Sequence, residues 1–192
     1  VVSKGAPFIS SEKLGGEQMP VYLTEIEEFS ELEEFESVLI VPCRFCPAAS
    51  TAISHEASYF EFFTHLLKTP TYEQYLNTVQ FRLEQMGITV GVFRSFLPHQ
   101  FVICMWTTRR RAKLKKVARK YDAVLVMGCE AALDTIQDSI DGSVSRVFMG
   151  MRTQGIMSIK PLFHLPGNVS LELNRVTPLV HNSNSDEAWV RL

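Results

Sequence analysis

Three short apolar runs, SVLIV at 37–41, ITVGVF at 88–93 and AVLVM at 123–127, are separated by stretches with helical periodicity. Runs this short, rich in β-branched residues and without polar alternation, read as strands buried on both faces. RVFM at 146–149 supplies a fourth. Strands that alternate with helices are joined by crossovers, which produce a mainly parallel sheet. The expected fold class is therefore α/β, a Rossmann-like three-layer domain with a C-terminal β-hairpin extension.

Between the strands, the helix over 70–86 is the best defined. Thr69 stands at the cap, Pro70 at the first turn and Gly87 at the end, and Tyr72, Tyr75, Leu76, Val79, Leu83 and Met86 keep a 3.6 period. Helices are also expected over 48–67, over 109–121 with the stripe Leu114, Val117, Ala118 and Tyr121, and from 130 to about 140. The acidic stretch 25–36 reads as a short surface helix with Ile26, Phe29, Leu32 and Phe35 on its apolar edge. Residues 100–105 read as a strand or a buried turn. Pro166-Gly167-Asn168 between LFHL and VSLEL reads as a hairpin turn. The expected organisation is an irregular leader over 1–20 and one domain over 21–192, with its core at 37–150, the hairpin at 156–180 and a loose end from 181.

A chain of 192 residues, 46% hydrophobic and 21% charged, has the composition of one globular domain. Its net charge of −2 argues against a nucleic-acid binder on global electrostatics. It has no apolar run of the length a membrane span needs and no signal-like apolar segment near residue 1, so a cytoplasmic location is expected. Four cysteines are too few for a disulfide scaffold. In a reducing compartment, clustered cysteines point instead to metal or redox chemistry.

Cys43, Cys46, Cys104 and Cys129 all fall where expected strands end, and in parallel sheets ligands collect outside the carboxyl ends of the strands. Four thiolates converging there suit a tetrahedral zinc ion or an iron–sulfur cluster. The C-x2-C pair Cys43/Cys46 has the spacing that lets both sulfurs face one ion. An alternative is a thiol–disulfide oxidoreductase using Cys43 and Cys46, since strand, Cys-Arg-Phe-Cys and helix follow in thioredoxin-like order. Cys104 and Cys129 also suit the simpler role of small buried hydrophobes.

The pieces VLIVPCRFC and KKVARKYDAVLVMGCEAALDTI, with Cys104 ahead of the second, resemble the N-terminal Rossmann-like half of the small cysteine-rich partner subunit of acetogen-type methylenetetrahydrofolate reductases. The resemblance covers about residues 37–150. This chain has no Gly-Gly after the C-x2-C and no second cysteine-rich segment. The resemblance thus implies an accessory role in a redox or one-carbon enzyme complex rather than the reductase activity itself.

Arg109, Arg110, Arg111, Lys113, Lys115, Lys116, Arg119 and Lys120 place eight positive charges on one helix, leaving the rest of the chain at −10. Such asymmetry suits a non-catalytic docking face for an acidic protein or enzyme complex, with nucleic acid the less favoured partner and a membrane not expected. A solvated helix face is the simpler reading. Arg152 and Thr153, between Gly150 and Gly155, are candidates for holding an anionic cofactor at a strand end. Glu130 and Asp134 suit the helix dipole. His55 and His65, on the helical stretch after the C-x2-C, suit a ligand or proton donor, with a surface or packed histidine the simpler reading, and His99 and His164 have no partner pattern. Walker A, GxGxxG, HExxH and GxSxG sequences are all missing.

Overall fold

The computed structural model describes residues 20–61, 69–94, 102–140, 146–164 and 167–179. The chain is α/β, with a parallel four-stranded sheet and a second, antiparallel one. The parallel sheet contains β2 (Ser37–Pro42), β4 (Thr89–Val92), β5 (Ala123–Met127) and β6 (Arg146–Met149), in the order β4-β2-β5-β6. Central and edge strands differ as the sequence requires. All five residues of β5 are buried, as are the last five of β2, whereas β4 and β6 are only partly covered.

Four helices follow the strands: α1 (Cys46–Ser54), α2 (Pro70–Gln85), α3 (Thr108–Ala118) and α4 (Glu130–Gln137). The chain crosses the sheet one way from β2 to β4, and the other way from β4 to β5 and from β5 to β6. With right-handed crossovers, α2 therefore lies on one face and α3 and α4 on the other. Helix α2 starts at Pro70 and buries Tyr72, Tyr75, Leu76, Val79 and Leu83 as expected, whereas Met86 is its exposed C-cap residue. Its end is a Schellman motif: Gly87, at φ +84°, donates to the Glu84 carbonyl, and Ile88 donates to that of Leu83.

The structure corrects several expectations. The acidic stretch is not a helix. Val21–Glu25 is a strand, β1, and only a single 3-10 turn, Ser30–Leu32, follows it. Its apolar residues recur every three positions, which suits a 3-10 turn but drifts around an α-helix, and adjacent glutamates repel. The helix expected over 48–67 ends at Ser54, where Glu56 takes φ 50° and Ala57 donates to the Ala52 carbonyl. Strand β3 (Phe60–Glu61) follows, and residues 62–68 lie outside those described. The 100–105 segment gives a 3-10 turn, Ile103–Met105. Helices α3 and α4 end three residues before the expected 121 and 140. The expected leader and loose end fall outside the described residues, apart from Pro20.

The hairpin is no appendage. Strand β7 (Met151–His164) follows β6 after Gly150 alone and pairs with β8 (Asn168–Pro178) along its length. With β1 and β3 they make the antiparallel sheet β1-β7-β8-β3. Gly155 lies inside β7, where an added Cβ would stand 2.3 Å from the Thr177 carbonyl oxygen, so the Gly150–Gly155 stretch is strand rather than an anion-binding bend.

The antiparallel sheet is joined to α1 through one buried hydroxyl. A register shift between Tyr22 and Leu23 interrupts the β1–β7 ladder, and the Leu23 amide donates instead to Ser50 Oγ at 2.9 Å. Ser50 is fully buried and in turn donates to the carbonyl of Cys46 at 2.9 Å. Replacing Ser50 by Ala leaves the Leu23 amide without a partner. The expected loss is about 1–3 kcal/mol in chemical denaturation, with little change in the slope against denaturant.

Candidate thiol site at the carboxyl edge of the parallel sheet

The strand order reverses direction between β2 and β5, so the loops leaving these two strands diverge and open a crevice at their carboxyl ends. Cys43 follows β2 directly, and its amide donates to the Met127 carbonyl at 2.9 Å, tying the two strand ends together. Across it, Gly128 and Cys129 leave β5. A Cβ on Gly128 would stand 2.7 Å from Cβ of Ala132 and 3.4 Å from Cβ of Cys43. Only glycine lets the strand-to-helix turn approach this closely.

Each thiol reaches the edge by a different route. Cys43 is buried beneath the Ile103–Met105 turn. Cys46 is the first residue of α1 and accepts from the Val21 amide at 3.5 Å. Cys129 is the buried N-cap residue of α4. Cys104 sits on the 3-10 turn that packs against α4 and is exposed. The sheet thus delivers Cys43 and Cys129 to this edge, while Cys46 follows on α1 and Cys104 lies on the 3-10 turn rather than at a strand end; all four are free thiols.

Their electrostatics differ sharply. A hydrogen bond from Cys46 is the largest influence on Cys129 and pulls its thiol down to about 6, against the opposing effect of burial. The amides of Ala132 and Ala131, in the first turn of α4, also favour the thiolate, at electrostatic range rather than as a strict side-chain cap. The same bond raises Cys46, and burial raises it further. Burial pushes Cys43 up to about 11, with the Ile103 and Phe45 amides pulling back and the charges of Cys129 and Cys104 adding to the rise. Cys104 is raised by burial and then by Cys129. Among the described residues, no Lys, Arg or His is an influence on any of the four. Tyr59 and Tyr72 wall the site. Burial raises both phenols, with contributions from Cys46 and Cys43 at Tyr59 and from Cys43 at Tyr72.

Among the described residues, no group of three or more His, Cys, Asp or Glu side chains stands ready to hold a metal ion. The thiols are gathered on one edge without forming a closed coordination shell.

The remaining candidates separate. Thr153 donates to Glu130 Oε2 at 2.7 Å and so links β7 to the start of α4 beside Cys129, whereas Arg152 is exposed. Neither belongs to an anion loop. Of the eight cations, Arg110 faces inward: it is buried, lies 4.2 Å over the Phe93 ring and donates to the Arg94 carbonyl at 2.9 Å, so it is no docking residue. Arg111 donates to the Trp106 carbonyl, while Arg109, Lys113, Lys116, Arg119 and Lys120 are exposed. His55 pairs with Glu25 and His164 with Ser170, away from the thiols; His65 and His99 lie outside the described residues. The sequence reading missed Gly128, Tyr59 and the β1 amide on Cys46. Only the Gly-Cys step after a buried strand signalled any of these.

No protein-family model, curated protein or solved structure matches this chain.

The depressed thiol gives a pH dependence with a defined sign. A folded-state value near 6 against an ordinary value of 9.0 contributes stability that is complete above 9 and is lost as pH falls through 6. In the reduced protein, thiolate ultraviolet absorbance titrates one group with a midpoint near 6. Cys129→Ser abolishes that step, and Cys46→Ala moves it upward. Gly128→Ala, by forcing Ala132 and Cys43 apart, destabilises the fold by about 1–3 kcal/mol and shifts the same midpoint upward.

Proposed function

We propose that this chain is a Rossmann-like protein that holds a zinc ion or an iron–sulfur cluster on Cys43, Cys46, Cys104 and Cys129, as a subunit or accessory of a redox or one-carbon enzyme complex. The observation that supports the reading is the gathering of four thiols about the β2/β5 crevice, with no positive side chain among the described residues acting on them. Thiols this close cannot all ionise, because each thiolate raises the next. A soft cation removes that conflict and favours the deprotonated form of every ligand. The fit is good in chemistry: four sulfurs, a C-x2-C pair and a buried wall. In the proposed bound form the 3-10 turn carrying Cys104 closes onto the other three. Bound zinc would act as a structural or Lewis-acid centre and a cluster as an electron carrier. The accessory role rests on the resemblance to the reductase partner subunit.

A second reading is favoured by the mutual influence of the Cys46 and Cys129 thiols, which lowers Cys129 and raises Cys46. In it Cys129, as thiolate, attacks a substrate disulfide, and Cys46 resolves the mixed disulfide. The substrate leaves as two thiols and the protein holds a Cys46–Cys129 bridge. Cys43, buried with its thiol pushed up to about 11, is a weaker nucleophile than Cys129, so the Cys46–Cys129 pair stands beside Cys43/Cys46 as a redox alternative.

Anaerobic purification with metal analysis and a visible spectrum separates the two. The metal reading expects about one zinc per chain, or iron with broad visible absorbance. Cys129→Ser is expected to lower metal retention at least tenfold and to lower the melting temperature, and a chelator to destabilise the wild type but not the variant. Metal content unchanged in Cys129→Ser overturns the reading. A metal-free protein that exchanges disulfides, and maps to a Cys46–Cys129 bridge when oxidised, establishes the second.

A further inference from the structure

The chain carries two large surfaces of opposite charge that the thiol site does not use. Residues 25–36 contain seven glutamates, and all seven are exposed. Glu25 pairs with His55 and Glu34 with Arg146; the others have no ion-pair partner among the described residues. Glu25, Glu27, Glu28 and Glu31, with Arg152, border an open groove of about 500 Å³ that is also lined by Leu125, Phe148 and Met149. On α3 and just beyond it, Lys113, Lys116, Arg119 and Lys120 are exposed and have no ion-pair partner among the described residues.

The two surfaces lie on opposite sides of the parallel sheet. The acidic segment is held on the α2 side by its backbone: Arg82 donates to the Glu27 carbonyl at 3.1 Å, and the Ile26 amide donates to the Tyr75 hydroxyl at 3.1 Å. The right-handed crossovers place α3 on the other side. One molecule cannot join its own two surfaces, but a second copy presents the matching one.

We infer that copies of this chain associate head to tail, the basic face of α3 in one molecule docking on the acidic segment 25–36 of the next. The acidic protein that suits α3 is thus a second copy of the same chain. Opposite charges on opposite faces favour this heterologous contact over a two-fold one, which would set like charges together. Whether the rotation closes decides between a ring and an open filament. The inference does not depend on what the thiols bind.

Sedimentation velocity on the full chain tests it. At ionic strength about 0.01 M, where the Debye length is ~30 Å, the protein is expected to associate with rising concentration; at about 1 M, where it is ~3 Å, it is expected to be monomeric. Lys116→Glu with Arg119→Glu is expected to weaken low-salt association about tenfold or more, and so is Glu28→Lys with Glu31→Lys. Mixing those two variants restores association, because each supplies the surface the other lost. Lys160→Glu with Arg175→Glu changes net charge equally on the exposed hairpin and leaves association unchanged. Circular dichroism verifies the fold of each variant. A wild type that stays monomeric at low salt overturns the inference, as does failure of the mixture to associate or equal weakening by the hairpin reversal.

Discussion

The parallel pairing of β2 with β5 is the contact on which the rest depends. These strands are adjacent in the sheet but separated in sequence by α1, β3, α2, β4 and α3. Their registered residues, from Val38↔Ala123 to Pro42↔Met127, are buried. Burial on both faces fixes the register, because a slip of one residue would exchange the two faces of a strand. That register sets Pro42 opposite Met127 and lets the next amide, that of Cys43, donate to the Met127 carbonyl at 2.9 Å, and Gly128 lets α4 begin at once. The distance between two cysteines 86 positions apart is therefore set by core packing rather than by loops.

Placed so close, the thiols divide their ionisation unevenly. Cys129 gains from a neighbouring donor and from the start of a helix, while Cys43 has burial against it. One thiolate is favoured and further ones are opposed. A site of this kind has two ways to relieve the opposition, a soft cation or oxidation of two thiols, and these are the two chemistries proposed for it.

How much of this was legible in the sequence depended on whether local pattern and tertiary context agreed. Runs such as AVLVM are buried on both faces, so composition alone marks them, and the positions of Cys43 and Cys129 followed from them. Helix α2 was legible because Thr69-Pro70 and Gly87 punctuate a sustained 3.6 period. The acidic segment was misread because apolar residues at every third position resemble a helical stripe over one turn and diverge from it over three. Strand β1 was missed because five residues of mixed polarity acquire their strand character from pairing with β7, 126 or more positions away. Arg110 counted with its basic neighbours until the structure placed aromatic rings beneath it. Spacing along a helix tells which residues share a face, but not which of two faces the core will claim when one carries a long cation able to stack.

The antiparallel sheet helps to cover part of the thiol edge. Through Gly150 the chain leaves β6 and becomes β7 without a loop, which commits the second sheet to one side of the first. Strand β1, paired to β7, then lies along α1, donates the Val21 amide to Cys46 and is fastened by Ser50. On the far side, β8 accepts the Tyr59 amide at 2.7 Å, which sets that phenol against Cys46 and Cys43. Behind this wall Cys43 is buried and Cys46 is half-buried. In such surroundings charges are screened weakly, so a hydrogen bond between thiols and a helix start can act strongly on Cys129. The hairpin that looked like an extension in the sequence is thus part of the wall that gives the site its chemistry.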